Sequence, residues 1–110
     1  MKQKILLVYT GGTIGMVKDK IKNTLVPFNF DDLLKTIPEL KRYEVDLENI
    51  SIKTPIDSSN MCPNIWVEIA EIIETNYVNY EGFVILHGTD TMAYTASVFS
   101  FILENLNKAV

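Results

Sequence analysis

Three polar segments of this sequence contain the residue types that could do chemistry. They are Thr10-Gly11-Gly12-Thr13-Ile14-Gly15, Asp57-Ser58-Ser59 and His87-Gly88-Thr89-Asp90-Thr91. In the first segment the glycines leave backbone room around Thr13, whose hydroxyl group could act as a nucleophile at the end of a strand. The hydroxyl and backbone N–H groups of the second would suit a small zwitterionic ligand. These segments are therefore the candidate site.

Each segment, taken alone, also has a plain structural interpretation. Gly-Gly-Thr can be a turn whose threonines satisfy backbone groups, and Asp57 or Asp90 can cap the helix that follows. His87 is the only histidine, and we expect it to be buried and hydrogen-bonded beneath its loop instead of acting as a general base. Residue by residue, catalytic and structural roles both stay open.

Composition excludes several classes of protein. A chain of 110 residues with 47% hydrophobic and 22% charged residues suits one globular domain. Its net charge of -4 comes from scattered residues, which argues against a nucleic-acid partner. The longest apolar runs fall far short of the roughly 20 residues that a membrane span needs. A single cysteine and the lack of an export signal favour the cytoplasm.

Two common ligand-binding motifs and a metal site are also excluded. The glycines of the first segment match neither the Gly-x-Gly-x-x-Gly dinucleotide fingerprint nor the P-loop. One histidine and one cysteine cannot form a transition-metal site of the usual kind.

Strands that alternate with helices must position the candidate site. Residues 3–10 form an apolar run typical of a buried parallel strand, and residues 82–86 form another. Residues 45–52 predict a third strand, with a bulge or slip between Leu47 and Ile50 where the alternation breaks.

Apolar residues at helical spacing predict a helix over 64–76, preceded by Pro63, and a second helix from Met92 to Leu106. The charged segment 16–26 is predicted to be an exposed flap. A short helix ending at Leu34 would follow it.

This alternation predicts an α/β domain with a three-layer, doubly wound sheet. In such sheets ligands bind at the carboxyl ends of the parallel strands. The segments that begin at Thr10 and His87 both follow predicted strands, so we expect them to converge on one crevice. Residues 108–110 are expected to approach a fourth strand.

Read together, three motifs resemble the L-asparaginase family in order and spacing. They are residues 9–15, 57–59 and 87–97, and the resemblance covers essentially all 110 residues. It is greatest to the bacterial type I enzymes, which are cytoplasmic. It implies that residues 1–110 are the N-terminal part of the family's N-terminal catalytic domain, with the rest of that domain and a C-terminal domain beyond. It also implies a homo-oligomer, a dimer or tetramer, without a cofactor.

The resemblance also implies roles in catalysis. Thr13 would attack the side-chain amide of asparagine and form an acyl-enzyme. Thr89 would position water or relay a proton, and Asp90 would bind the α-ammonium group of the substrate and polarise the relay. The family's lysine would lie beyond Val110, so we expect residues 1–110 alone to be inactive.

The same resemblance assigns substrate binding to Asp57, Ser58 and Ser59, which match the loop that holds the α-carboxylate and α-ammonium groups. It assigns substrate binding to Thr89 and Asp90 as well. One position departs from the family pattern, because Leu25 stands where many members have a flap tyrosine. Activation of Thr13 would then rely on the relay through Thr89.

Two other functions stay open. The chain could be a small-ligand-binding α/β module without chemistry, or an ammonia-supplying subunit of a tRNA-dependent amidotransferase. Glutamine, D-asparagine or a peptide amide are alternative substrates, because one methylene changes selectivity by only about 1–3 kcal/mol.

Overall fold

A computed structural model of the protein describes residues 2–12, 16–27 and 37–110. Its strands and α-helices are, in chain order, β1 (Gln3–Tyr9), β2 (Met16–Lys18), β3 (Leu25–Pro27), β4 (Val45–Ser51), α1 (Pro63–Asn76), β5 (Gly82–Leu86) and α2 (Met92–Ile102). Short 3₁₀-helices span Pro38–Arg42 and Ser58–Asn60. Thr13 and the short helix predicted to end at Leu34 lie outside the described residues.

The main sheet of the described residues is parallel, with the order β4-β1-β5. β1 lies in the middle because both of its faces are apolar, and Leu6, Leu7, Val8 and Tyr9 are all buried. The chain passes from β1 to β4 on one side and then crosses back to β5 on the other. This reversal is typical of a doubly wound sheet, and the predicted α/β fold is confirmed.

One face of the sheet packs against both α-helices. Parallel crossovers are nearly always right-handed, so the two connections that run in the same direction place α1 and α2 on the same face. The core there consists of Leu6, Val8, Ile52, Ile69, Ile73, Tyr80, Phe83 and Phe99. α1 begins at Pro63, one residue before the predicted helix 64–76, because proline lacks only an N–H that the first helical turn leaves unbonded.

The bulge or slip predicted between Leu47 and Ile50 is wrong. β4 pairs with β1 residue for residue, from Val45 opposite Gln3 to Ser51 opposite Tyr9. The alternation breaks between Leu47 and Ile50 because these side chains lie on opposite faces of a sheet in which both faces are partly covered.

α2 is shorter than its apolar pattern predicts. It ends at Ile102, because Leu103 is extended and Asn105 adopts a left-handed conformation with φ of 55°. The chain then turns back along β5, where Ala109 forms a single parallel bridge with Gly82. Residues 108–110 thus approach the sheet at the place expected of a further strand.

The predicted flap is a β-hairpin in which β2 and β3 pair antiparallel. Asp19 closes its tip by accepting hydrogen bonds from the N–H groups of Ile21 and Lys22 at 2.8 and 3.1 Å. Ile21 is 95% exposed, in agreement with the prediction of an exposed segment.

A polar cluster at the amino end of the sheet makes stability dependent on pH. The Tyr80 hydroxyl donates to Glu48 Oε2 at 2.5 Å, and Lys4 Nζ lies 3.0 Å from Glu48 Oε1. Both bonds lower the pKa of Glu48. The bond between Tyr80 and Glu48, together with burial, raises the pKa of Tyr80 to about 12. The folded state thus favours ionised Glu48 and neutral Tyr80.

We expect Tyr80→Phe to lower the unfolding midpoint of the full-length protein by roughly 2–4 °C near neutral pH. The stabilisation of the folded state by ionised Glu48 is complete above its ordinary pKa of 4.5. It disappears as the pH falls through the lowered pKa of the folded state. The Tyr80 contribution is complete below 10.0 and disappears as the pH rises through about 12. Thermal melts across pH should therefore show the largest difference from wild type between these limits. Tyr43→Phe, at a side chain 66% exposed, is the control, and an equal difference at pH 3 would contradict the assignment.

Candidate active site

A cavity of about 380 Å³ opens at the carboxyl ends of the strands. Its walls come from three separate segments of the chain. The cavity-lining residues that belong to the three polar segments of the sequence analysis are Gly11, Gly12, Asp57, Ser58, Gly88, Thr89 and Asp90. The expected convergence of the polar segments on one crevice is thus observed. Ser59 lies beside the cavity and is exposed.

Thr10 joins the ends of two strands to the loop after β4. Its N–H and its hydroxyl both donate to the carbonyl of Leu86, at 3.1 and 2.8 Å, and its own carbonyl accepts from the N–H of Ile56 at 2.9 Å. The structural interpretation holds for Thr10, because these bonds occupy its polar groups in a buried position.

Glycines allow the three segments to pack closely against one another. Gly11 has φ of 122°, and a Cβ atom there would lie 2.0 Å from the carbonyl oxygen of Ile56. A Cβ atom at Gly88 would lie 2.6 Å from Ser58 Oγ. Only glycine permits these approaches, so both positions bring the cavity walls together.

Thr13 follows Gly12 in the sequence and lies outside the described residues, so its place in the site stays a prediction. Upstream of it, the Tyr9 hydroxyl donates to the carbonyl of Gly12 at 3.2 Å. Burial raises the pKa of the Tyr9 phenol above its ordinary value. The backbone that leads to Thr13 is therefore anchored up to Gly12.

Asp57 organises the second wall. Its Oδ1 accepts from both the N–H and the hydroxyl of Ser59, each at 2.9 Å, and so caps the 3₁₀-helix Ser58–Asn60. These bonds, the backbone one first, lower the pKa of Asp57. An ionised carboxylate therefore lies at the cavity, and its role in loop geometry is observed directly.

Asp90 does not cap the helix that follows it. The N-cap of α2 is Thr91, whose hydroxyl donates to the carbonyl of Ser58 at 2.8 Å. Thr89 and Asp90 are exposed at the cavity, and the structure gives Asp90 no hydrogen-bond partner among the described residues. A hydroxyl and a carboxylate are thus available to a ligand.

His87 is buried beneath the loop, as predicted. Its ring nitrogens lie 2.6 Å from the carbonyl oxygen of Gly88 and 2.7 Å from Thr95 Oγ1. Both nitrogens are occupied by protein atoms, so His87 does not present a base to the cavity.

Sequence reasoning missed Met16, Pro55 and Ile56 in the cavity wall. Met16 belongs to the flap hairpin and brings it to the site. Ile56 approaches Gly11 through its backbone, and residue type does not predict a backbone contact. Only Pro55 beside it indicated a turn.

No group of three or more histidine, cysteine, aspartate or glutamate side chains within residues 2–12, 16–27 and 37–110 is placed to hold a metal ion. In the same ranges, no helix has the length and apolar character required to cross a membrane.

Comparisons with known proteins place these features in a family context. A family model described as "Asparaginase, N-terminal" matches residues 4–110. The chain is 50% identical over 110 residues to L-asparaginase 1 of Escherichia coli strain K12, covering 99% of this chain and 32% of that protein. It therefore spans about a third of the length of this curated relative.

Two solved structures are similar to the fold. L-asparaginase I from Vibrio cholerae has a TM-score of 0.84 at 46% identity, over 100% of this chain and 32% of that one. A probable cytoplasmic L-asparaginase from Campylobacter jejuni has a TM-score of 0.68 at 36% identity, over 86% of this chain and 27% of that one.

Proposed function

This chain belongs to the asparaginase family, and from that premise we propose that the full-length protein hydrolyses L-asparagine to L-aspartate and ammonia through a threonine acyl-enzyme. The observation that carries the proposal is the cavity in which the three family segments meet. We also propose a cytoplasmic homo-oligomer, a dimer or tetramer, that needs no cofactor.

Thr13 is the proposed nucleophile. Its Oγ attacks the side-chain amide carbon, the C–N bond breaks, and ammonia leaves with the proton that the hydroxyl gave up. Water then attacks the resulting ester and releases aspartate, restoring the hydroxyl. Gly11 and Gly12 line the cavity, which supports a position for Thr13 at the same wall.

Thr89 and Asp90 are the proposed partners of the nucleophile. A threonine hydroxyl is a weak nucleophile at neutral pH, so a neighbouring group must accept its proton. Thr89 relays that proton or positions water, and the Asp90 carboxylate polarises the relay and binds the α-ammonium group. Their exposure at the cavity supports these roles.

Asp57, Ser58 and Ser59 are the proposed site for the polar ends of the substrate. The lowered pKa of Asp57 supports an attraction for the α-ammonium group, because it keeps the carboxylate ionised. Ser58 lines the cavity, and its hydroxyl supplies a donor for the α-carboxylate. Ser59, whose N–H and hydroxyl both donate to Asp57 Oδ1, holds that carboxylate in place.

We expect Asp90→Asn in the full-length protein to lower kcat/KM for asparagine about 10- to 100-fold. The amide keeps the shape of the side chain but removes the charge that would pair with the α-ammonium group, and bonds to charged groups contribute about 1.5–3 kcal/mol. Ammonia release measured against asparagine concentration tests both the proposed activity and this role.

Asp46→Asn is the matched control, because Asp46 is an exposed carboxylate on β4 near the opposite end of the sheet. Wild-type kinetics in Asp90→Asn would remove Asp90 from the site. Absence of ammonia release from the wild-type protein would contradict the activity itself, and binding of NAD or ATP without turnover would favour the binding module. Association with tRNA or a partner subunit would favour the amidotransferase function.

A further inference from the structure

Three hydrogen bonds link both α-helices to the loop that carries Thr89 and Asp90. The Trp66 indole donates from α1 to Thr95 Oγ1 on α2 at 2.8 Å. Thr95 Oγ1 lies 2.7 Å from His87 Nε2, and His87 Nδ1 lies 2.6 Å from the carbonyl oxygen of Gly88. The chain of bonds thus runs from the helical layer to the backbone immediately before Thr89.

The chemistry of the end groups sets the direction of the two outer bonds. The Gly88 carbonyl can only accept, so His87 Nδ1 must carry a proton, and the Trp66 indole can only donate, so Thr95 Oγ1 must accept from it. In the tautomer that carries its proton on Nδ1, Nε2 accepts from the Thr95 hydroxyl. In this arrangement each of the three side chains is fully bonded.

The middle of the chain of bonds is largely buried. His87 is 5% exposed and Thr95 is 3% exposed. Deletion of one group there leaves a largely buried polar atom without its partner, which costs free energy.

The bond to Gly88 acts on the site through the peptide plane. The carbonyl of Gly88 and the N–H of Thr89 belong to one planar unit, so a bond that fixes the carbonyl also orients the start of Thr89. On the other side of the loop, the Thr91 hydroxyl is bonded to the carbonyl of Ser58. Thr89 and Asp90 thus lie between two anchored points, with their own side chains exposed.

We propose that His87, held by Thr95 and Trp66 as the neutral tautomer with its proton on Nδ1, is a positioning residue that orients Thr89 and Asp90 for catalysis. This inference rests on the proposed function. His87 takes no proton from the substrate, because both of its nitrogens face protein atoms.

Thr95→Val tests the proposal in the full-length protein, because valine keeps the branched shape and removes the hydroxyl. We expect kcat/KM for asparagine to fall about tenfold, since small misplacements in an active site cost up to about 10²-fold. Thr95→Ser restores the hydroxyl and should lie within about threefold of wild type. Ser97→Ala is the matched control, because it deletes a hydroxyl of α2 that bonds only to the carbonyl of Ala93 in its own helix.

A second readout follows the imidazole directly. In ¹⁵N-labelled protein, with the signals assigned by their loss in His87→Gln, wild type should show a protonated Nδ1 and an unprotonated Nε2. Thr95→Val should lose this fixed tautomer. An Nε2-protonated ring in wild type would overturn the proposal.

Rates are compared well below the unfolding midpoint, which separates positioning from stability. Thr95→Val with wild-type kcat and KM and a lowered midpoint would overturn the positioning role and leave the proposed function intact. Absence of ammonia release from the wild-type protein contradicts the proposed function instead.

Discussion

Thr13→Val should abolish asparagine hydrolysis by the full-length protein, with a loss of kcat of about 10³- to 10⁶-fold. Valine matches threonine in shape but lacks the Oγ that forms the acyl bond, and loss of a nucleophile removes the contribution of the groups that act with it. Steady-state ammonia release measures the loss, and a thermal melt verifies that the variant is folded.

Thr75→Val provides the control, because it makes the same change on an exposed face of α1 near its C-terminal end, outside the cavity. It should retain wild-type turnover. If Thr13→Val also retains turnover, another residue is the nucleophile, and the relay assigned to Thr89 and Asp90 loses its starting point.

Gly11→Ala should destabilise the full-length protein by about 3–5 kcal/mol and eliminate turnover with it. The new Cβ atom would lie 2.0 Å from the carbonyl oxygen of Ile56, which is backbone and cannot rotate away. The φ of 122° at Gly11 adds conformational strain to the clash. Denaturant unfolding followed by circular dichroism measures the change in the free energy of unfolding.

Gly82→Ala is the matched control. Its Cβ would meet Ile5 Cδ1 at 3.3 Å, the end of a flexible side chain, and we expect a change within about 1 kcal/mol. A Gly11→Ala protein as stable as wild type would show that Gly11 and the backbone of Ile56 do not approach each other as described.

Local pattern was sufficient for the elements that position the site. The apolar run 82–86 predicted β5 with its observed bounds, and the predicted helix 64–76 differs from α1 by one residue. These predictions succeed because a strand buried on both faces and an amphipathic helix each leave a periodic signature in the residues that form them. The rule that ligands bind at the carboxyl ends of parallel strands then predicted that the polar segments meet.

Predictions from local pattern were wrong where packing against other elements determined how a strand pairs or where a helix ends. The irregular spacing at Leu47 and Ile50 suggested a bulge, but both faces of β4 are partly covered and its pairing is continuous. Apolar spacing carried the predicted second helix to Leu106, whereas α2 ends at Ile102 and Leu106 lines a groove beside β5. The residue pattern of one strand or helix does not predict which other elements will pack against it.

The sequence by itself determined the fold class, the central place of β1 and the chemistry available at the cavity, and through its motifs the family resemblance. Only the tertiary structure decided that Asp57 caps its own turn, that Thr91 and not Asp90 occupies the N-cap position of α2, and that His87 is bonded to Thr95. The bond between the Thr10 hydroxyl and the Leu86 carbonyl joins residues 76 positions apart. Such contacts depend on how the sheet brings distant loops together. A periodic pattern along the chain describes only neighbouring residues, so it cannot predict contacts between residues far apart in sequence.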